Sequence, residues 1–245
     1  MNPGRVAATT QRVLRQLRHD PRTIALLLVV PSVLMGLLAW ILNRRPGAFD
    51  AFGPPLLGIF PLVVMFLVTS VATLRERTSG TLERLLTLPL AKAEFVTGYA
   101  LAFGLASVVQ AALVSGLSFG VFGLHVQGSA WLISLVAVED ALLGSALGLS
   151  LSSLAATEFQ AVQFMPAFIL PQTLLCGLLV PRDQLPTLLH WLSDVLPMSY
   201  AVDATQRISV SSTDTGRLVS DVLVIFLFVL VALATGALTL RRKTR

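Results

Sequence analysis

Charge is what this sequence has least of. Asp, Glu, Lys and Arg make up 13% of its 245 residues, about half the share found in soluble globular domains. The single cysteine, Cys176, excludes an intrachain disulfide, and three scattered histidines add no ligand set for a metal centre. There is no G-x-x-x-x-G-K-[ST] phosphate loop, no H-E-x-x-H and no G-x-S-x-G. The chain is therefore expected to be no enzyme in its own right and to bind no cofactor or metal itself.

Apolar length is what it has instead. Hydrophobic residues make up 55% of the chain and the mean hydropathy is +0.80. A bilayer core about 30 Å thick needs roughly 20 apolar residues as a helix. Six stretches meet or approach that: Ile24–Leu42, Pro54–Leu74, Val96–Leu124, Trp131–Leu154, Ala161–Val180 and Leu218–Leu240. The expectation is an all-α polytopic membrane protein, one transmembrane domain over residues 1–245. The first stretch begins after twenty-three residues, is full length and lacks an A-x-A site, so no cleavable signal peptide is expected.

The net charge of +5 does not read as nucleic-acid binding, because the basic residues cluster at membrane flanks. With the amino terminus inside, thirteen of the eighteen Lys and Arg fall on inside segments. The outside segments hold only Arg44, Arg45, Arg182, Arg207 and Arg217. That is the positive-inside bias, so both termini are expected in the cytoplasm.

Residues 1–23 read as an interfacial helix. Val6, Val13, Leu14 and Leu17 make its apolar face, and Arg5, Arg12, Arg15 and Arg18 its basic side. Asp20-Pro21 turns the chain into the membrane. Pro31 is expected to kink the first span, and Asn43–Gly53 to form a short outer loop. Residues 75–95 are a charged island between two apolar runs. It carries Arg75, Glu76, Arg77, Glu83, Arg84, Lys92 and Glu94, a break at Ser79-Gly80, and a leucine stripe at Leu82, Leu85 and Leu86 that Pro89 ends. It reads either as a surface helix that meets a partner protein or as a solvated loop resting on headgroups.

The third and fourth spans each carry G-x-x-x-G, at Gly116/Gly120 and Gly144/Gly148, which lets helix backbones approach closely. They are expected to form a tight hairpin with one another. Glu139 and Asp140 sit near mid-membrane depth, where a carboxylate is costly and is a functional-site hypothesis by default. They either line a substrate path or are structural, in a hydrated vestibule or paired to an arginine. The fifth span holds Gln163, Phe164, Pro166, Phe168, Pro171 and Gln172. Its two prolines predict a bent or broken helix, and Phe164 and Phe168 share a face that is either a cavity wall or ordinary packing. Residues 181–217 carry leucines at helical spacing with Trp191 and Tyr200 as interface anchors, so one or two short helices are expected, broken at Pro197.

Three landmarks in this order carry a family resemblance. They are R-H-D-P-R-T at Arg18–Thr23, R-E-R-T-S-G-T-L-E-R-L-L-T-L-P from Arg75 to Pro89, and L-P-T-L-L-H-W-L-S-D-V-L-P-M-S-Y-A-V-D-A-T-Q-R from Leu185 to Arg207. Together they resemble the membrane subunit of an ABC-2 type exporter, in the daunorubicin-resistance-like drug efflux branch. The resemblance implies the ABC-2 transmembrane fold: six spans, a cytoplasmic coupling helix and a re-entrant outer segment. It implies a permease in the plasma membrane of a prokaryote, exporting a small hydrophobic or amphipathic compound. Two permease subunits, identical or homologous, would pair, and two copies of a separate ATPase would dock below and hold ATP and Mg. Arg75, Glu76, Arg77, Gly80, Thr81, Glu83 and Arg84 would then couple to the ATPase, and Leu196, Pro197, Tyr200 and Arg207 would belong to the outer gate. Glu139-Asp140 departs from the family pattern, and any role for that pair rests on the physical argument alone. Within the exporter class the cargo could equally be a lipid or a polysaccharide. A gradient-driven secondary transporter is the alternative from a different class, but the halves of this sequence show no convincing inverted repeat of the kind such carriers often have.

Overall fold

A computed structural model describes residues 2–79, 91–211 and 215–239. Among them the regular structure is helical, with no strand. Nine α-helices follow in order: α1 Pro3–His19, α2 Pro21–Leu42, α3 Ala48–Thr78, α4 Lys92–Gly120, α5 Ala130–Leu151, α6 Glu158–Leu175, α7 Thr187–Asp194, α8 Pro197–Val210 and α9 Thr215–Thr239. In lipid only helices and closed barrels satisfy every backbone polar group internally, so this is the form such an apolar chain must take.

Five of these helices are long and apolar enough to cross a membrane: α2, α3, α4, α5 and α9. The expected fifth span is not among them. As α6 it has only 18 residues and includes Glu158, Gln160, Gln163, Gln172 and two prolines. The observed helix ends also differ from the edges of the apolar runs, because caps and turns set them. Asn2 opens α1, its side chain accepting the Gly4 N–H at 3.0 Å. Asp20 opens α2, its carboxylate accepting the Arg22 and Thr23 N–H groups and the Thr23 hydroxyl at 2.7 Å. The Thr23 hydroxyl first, and then the Thr23 N–H, hold this carboxyl below the usual aspartate range. The loop after α2 is shorter than expected: Gly47, at φ +75°, ends it, and α3 begins at Ala48. Pro31, Pro54, Pro55, Pro61, Pro166 and Pro171 all lie inside helices that continue through them, so the fifth span, expected bent or broken, is one unbroken helix.

The axis of the fold is the α3–α5 pair, the most extensive helix contact in the chain. A Cβ on Gly144 would collide with the Leu62 carbonyl, and one on Gly148 would lie 2.5 Å from the Phe66 carbonyl oxygen. The expected hairpin partner was the third span. The structure corrects this: Gly116 and Gly120 of α4 have open space where a side chain would point. The G-x-x-x-G of α5 is used against α3, and α4 meets α5 through ordinary side chains and a Ser107–Ser145 hydroxyl contact of 3.1 Å.

Two apolar cores flank this axis. The larger joins α3 and α5 to α8 and α9 through Leu57, Leu62, Leu143, Met198, Val202 and Ile225. The smaller lies towards the amino-terminal side and joins α1, α3 and α4 through Val13, Met65, Phe95, Tyr99 and Phe103. Gly144→Leu is expected to destabilise the extracted protein by about 1–3 kcal/mol, the usual cost of overpacking, whereas Gly116→Leu should be near neutral. Thermal unfolding of both variants in the same detergent tests this.

Candidate functional site

The last turn of α3 is a junction. Two adjacent charged residues there reach opposite ways. Glu76 accepts from Arg12 of α1 at 2.9 and 3.3 Å. Arg75 forks onto Glu158 at the start of α6, at 2.8 and 3.2 Å. Arg12 also donates to the Tyr99 hydroxyl of α4 and lies 5.5 Å from that ring's centre. Four helices therefore meet through Arg75, Glu76, Arg12 and Tyr99. The two pairs differ in weight. The Arg12 and Glu76 side chains are 27% and 13% exposed, against 57% and 49% for Arg75 and Glu158, so water screens the second pair far more.

The amino-terminal helix is thus docked on the helices, not only on lipid. Val6, Thr9 and Val13 are buried. Thr9 occupies the space a side chain on Gly98 would fill, and the Thr10 hydroxyl donates to the Gly98 carbonyl at 3.1 Å. Glu94, also buried, accepts the Asn2 N–H at 2.7 Å and the Ala91 N–H at 3.1 Å. Arg12, read as part of the basic side, belongs to the docked face, a placement that helical spacing alone does not reveal. Arg77 lies in the same turn of α3. The expected coupling residues Gly80, Thr81, Glu83 and Arg84 lie outside the described residues.

Glu139 and Asp140 lie in the middle of α5, buried at 8% and 1% exposure. Asp140 faces α3, where its carboxylate fills the place of a Gly58 side chain. Among the described residues Glu139 Oε2 and Asp140 Oδ1 have no hydrogen-bond partner, and neither do the two amide atoms of fully buried Gln110 on α4. No arginine pairs with either carboxylate among the described residues. Gln163 and Phe168 of α6 face outward instead, and Phe164 is half-buried. The structure does not gather these five residues around one space within one chain.

On the far side, opposite the amino terminus, Arg182 is a hub that sequence reading missed. Its guanidinium binds Asp194 of α7 and Asp203 of α8, its Nε donates to Ser193 at 2.7 Å, and it lies 5.8 Å from the centre of the Tyr200 ring. The Tyr200 hydroxyl donates to the Asp194 carbonyl at 2.7 Å. Pro197 opens α8 at its first position, with Leu196 half-buried as the cap residue. Arg207 bonds Asp221 of α9 at 2.7 Å. Two loop amides, Gln127 and Gly128, donate to the last carbonyls of α8 at 3.0 Å. The segment after α6 is therefore a folded knot, as the helical leucine spacing and Pro197 suggested. The signal for Arg182 was present as an isolated cation near three aspartates in sequence, but only the folded chain shows which of them it meets.

With this geometry in view, a comparison with known families is decisive: the ABC-2 type transporter model matches residues 5–210. The chain belongs to the ABC-2 type transporter family. It is 30% identical over 155 residues to the probable multidrug ABC transporter permease YbhR of Escherichia coli, covering 63% of this chain and 42% of that protein. It is 26% identical over 188 residues to ABC transporter G family member 20 of Dictyostelium discoideum, covering 77% and 26%. It is 25% identical over 184 residues to the linearmycin resistance permease protein LnrN of Bacillus subtilis, covering 73% and 46%. The chain thus spans less than half the length of each of these relatives. It is a multi-pass membrane protein and a member of a transporter permease family.

Arg182→Ala leaves the half-buried Asp203 without its cation, and loss of a charged hydrogen-bond partner costs about 1–3 kcal/mol. The variant is expected to unfold at lower temperature and to become protease-sensitive between Pro181 and Ser211, while Arg44→Ala does neither. Limited proteolysis with mass spectrometry checks both. Arg12→Met should loosen α1 selectively, read as faster hydrogen exchange over Val6–Val13 with little change in α5.

Proposed function

We propose that this chain is the membrane-spanning subunit of an ATP-driven exporter that moves a hydrophobic, drug-like compound out of a prokaryotic cell across its plasma membrane. One observation carries the proposal: the last turn of α3, which leads directly into residues 80–90, is tied to α1, α4 and α6 by Glu76, Arg12, Tyr99 and Arg75. A push on the segment after Thr78 would reach three other helices through these ties. That is the linkage needed for semi-rigid helices to rock between inward- and outward-open states. The names of the relatives, multidrug and linearmycin resistance permeases, support a drug-like cargo and the drug efflux branch over a lipid or polysaccharide one. Family membership weighs against a gradient-driven carrier.

In this reading both termini and residues 75–95 are cytoplasmic. Two copies of a separate ATPase bind there and hold ATP and Mg, with Gly80, Thr81, Glu83, Arg84 and the outer faces of Arg75 and Arg77 as their contacts. Glu76 acts from inside, through Arg12. A second permease subunit, identical or homologous, completes the path. Helix α6 is the sixth crossing: it starts beside Arg75, and the chain after it reaches Arg182 on the far side. Its outward Gln163 and Phe168, with Phe164, would line the path against the second subunit, and Glu139 and Asp140 would sit behind it. Residues 181–217 form the re-entrant outer gate, held by Tyr200, Pro197, Leu196 and Arg207.

The test is co-purification from mildly solubilised native membranes. An ATPase should come down with the unmodified chain and be lost with Glu83→Arg. Arg12→Glu combined with Glu76→Arg, which reverses the internal pair, should retain the ATPase, while Glu76→Arg alone should keep the ATPase but lower export several-fold. Recovery of the chain with no ATPase at all would overturn the proposal.

A further inference from the structure

Where α1 turns into α2, the elbow and the facing turns of α3 and α4 line a cavity of about 600 Å³. That lies within the roughly 300–1,000 Å³ of small-molecule sites. Its floor is apolar, built from Leu17, Leu26, Leu67, Val68, Val71 and Phe103. Its mouth is polar, with Gln16, Asp20, Arg22, Arg75 and Glu76. The division follows the membrane. α1 is amphipathic and ends at the elbow, α2 is a membrane-crossing helix that starts there, and the polar rim sits where they meet. Leu26, at 46% exposure, faces outward one turn into α2, so the apolar end of the cavity opens toward the acyl phase. A site of this kind takes an amphiphile with its head at the elbow and its tail inward.

Charge decides which head. The mouth holds two carboxylates: Asp20 caps α2 through Thr23 and has no ion pair among the described residues, and Glu76 is paired with Arg12. Of the two arginines, Arg75 is forked onto Glu158. The Arg22 side chain is exposed and has no hydrogen bond or ion pair among the described residues. The rim cation without a carboxylate partner among the described residues is thus the Arg22 guanidinium, whose flat fork of donors suits phosphate oxygens.

We propose that this cavity is a binding site for a diacyl phospholipid of the surrounding leaflet, with its phosphate at Arg22 and an acyl chain on the floor between Leu17 and Phe103. The lipid wedges α1 and α2 against the turn of α3 that carries Arg75 and Glu76. The assignment depends on the membrane placement of α1 and α2, not on what the protein exports.

Native mass spectrometry of the full chain, extracted with whatever subunits remain bound and then delipidated, tests it by titration with palmitoyl-oleoyl phosphatidylglycerol. One tightly retained lipid per chain is expected. Leu26→Trp fills the cavity from an exposed position, and Arg22→Gln removes the head contact. Each should lower retention about tenfold or more, and Arg22→Lys should recover part of it. Leu227→Trp, on the exposed face of α9, and Arg44→Gln should bind like the unmodified chain. Diacylglycerol with the same chains should be retained at least tenfold less than phosphatidylglycerol. Equal retention by Leu26→Trp would overturn the location, and equal retention of diacylglycerol would overturn the headgroup assignment. A loss of binding in the Leu227→Trp and Arg44→Gln controls as well would show non-specific lipid adhesion and overturn the site.

Discussion

The close approach of α3 and α5 is the constraint on which the other packing depends. Between helices in lipid there is little hydrophobic driving force, so association relies on van der Waals contact and on interhelical polar contacts. Gly144 and Gly148 let the α5 backbone rest on the carbonyls of Leu62 and Phe66. With that distance set, Asp140 is pressed into the notch at Gly58, and α9 and α4 close on the remaining faces of α5. Isolated buried polar groups such as Gln110 and Asp140 are tolerated within this frame although each unsatisfied one costs about 1–3 kcal/mol. In a membrane interior such groups are rare and mark function more often than stability.

Ion pairs among the described residues are placed at the two ends of the bundle. On the amino-terminal side they link helices through Arg12–Glu76 and Arg75–Glu158. On the far side they gather around Arg182 and Arg207. α3 runs 31 residues, about 46 Å at 1.5 Å per residue: Asp50 in its first turn accepts the His125 N–H at 2.8 Å and lines a cavity with Asp203 and Arg207, and Arg75 and Glu76 sit in its last. A displacement of α3 as a semi-rigid body would be felt at both ends together. That is the mechanical sense of a fold in which the apolar middle is packed on glycine and the ends are held by ions.

Much of this could be read from the chain alone. The apolar runs located the crossing helices because their length is set by bilayer thickness; Asp20-Pro21 was legible as a turn and Pro197 as a break, and in the structure each proline is the first residue of a helix behind its cap. Helix ends were read less well, since the cap at Thr157 and the left-handed Gly47 lie outside the apolar runs that reveal a span, and the turn at Gly123 falls within the third run. α6 was legible as a candidate span, but its glutamines and prolines leave it less apolar than the other five.

Composition and periodicity by themselves determined that this protein is helical, crosses a membrane several times, carries an amphipathic amino-terminal helix and folds a short helical segment before its last span. These follow from hydropathy and helical repeat, which are local. Only the tertiary structure decided partners: that Gly144 and Gly148 meet α3 and not α4, that Arg12 turns inward to Glu76, that Arg182 joins Asp194 to Asp203, and that Glu139 and Asp140 are buried while Phe168 is not. A residue's type and spacing state which face it occupies on its own helix. Which helix lies against that face is settled by the packing of the whole bundle, which no single stretch contains.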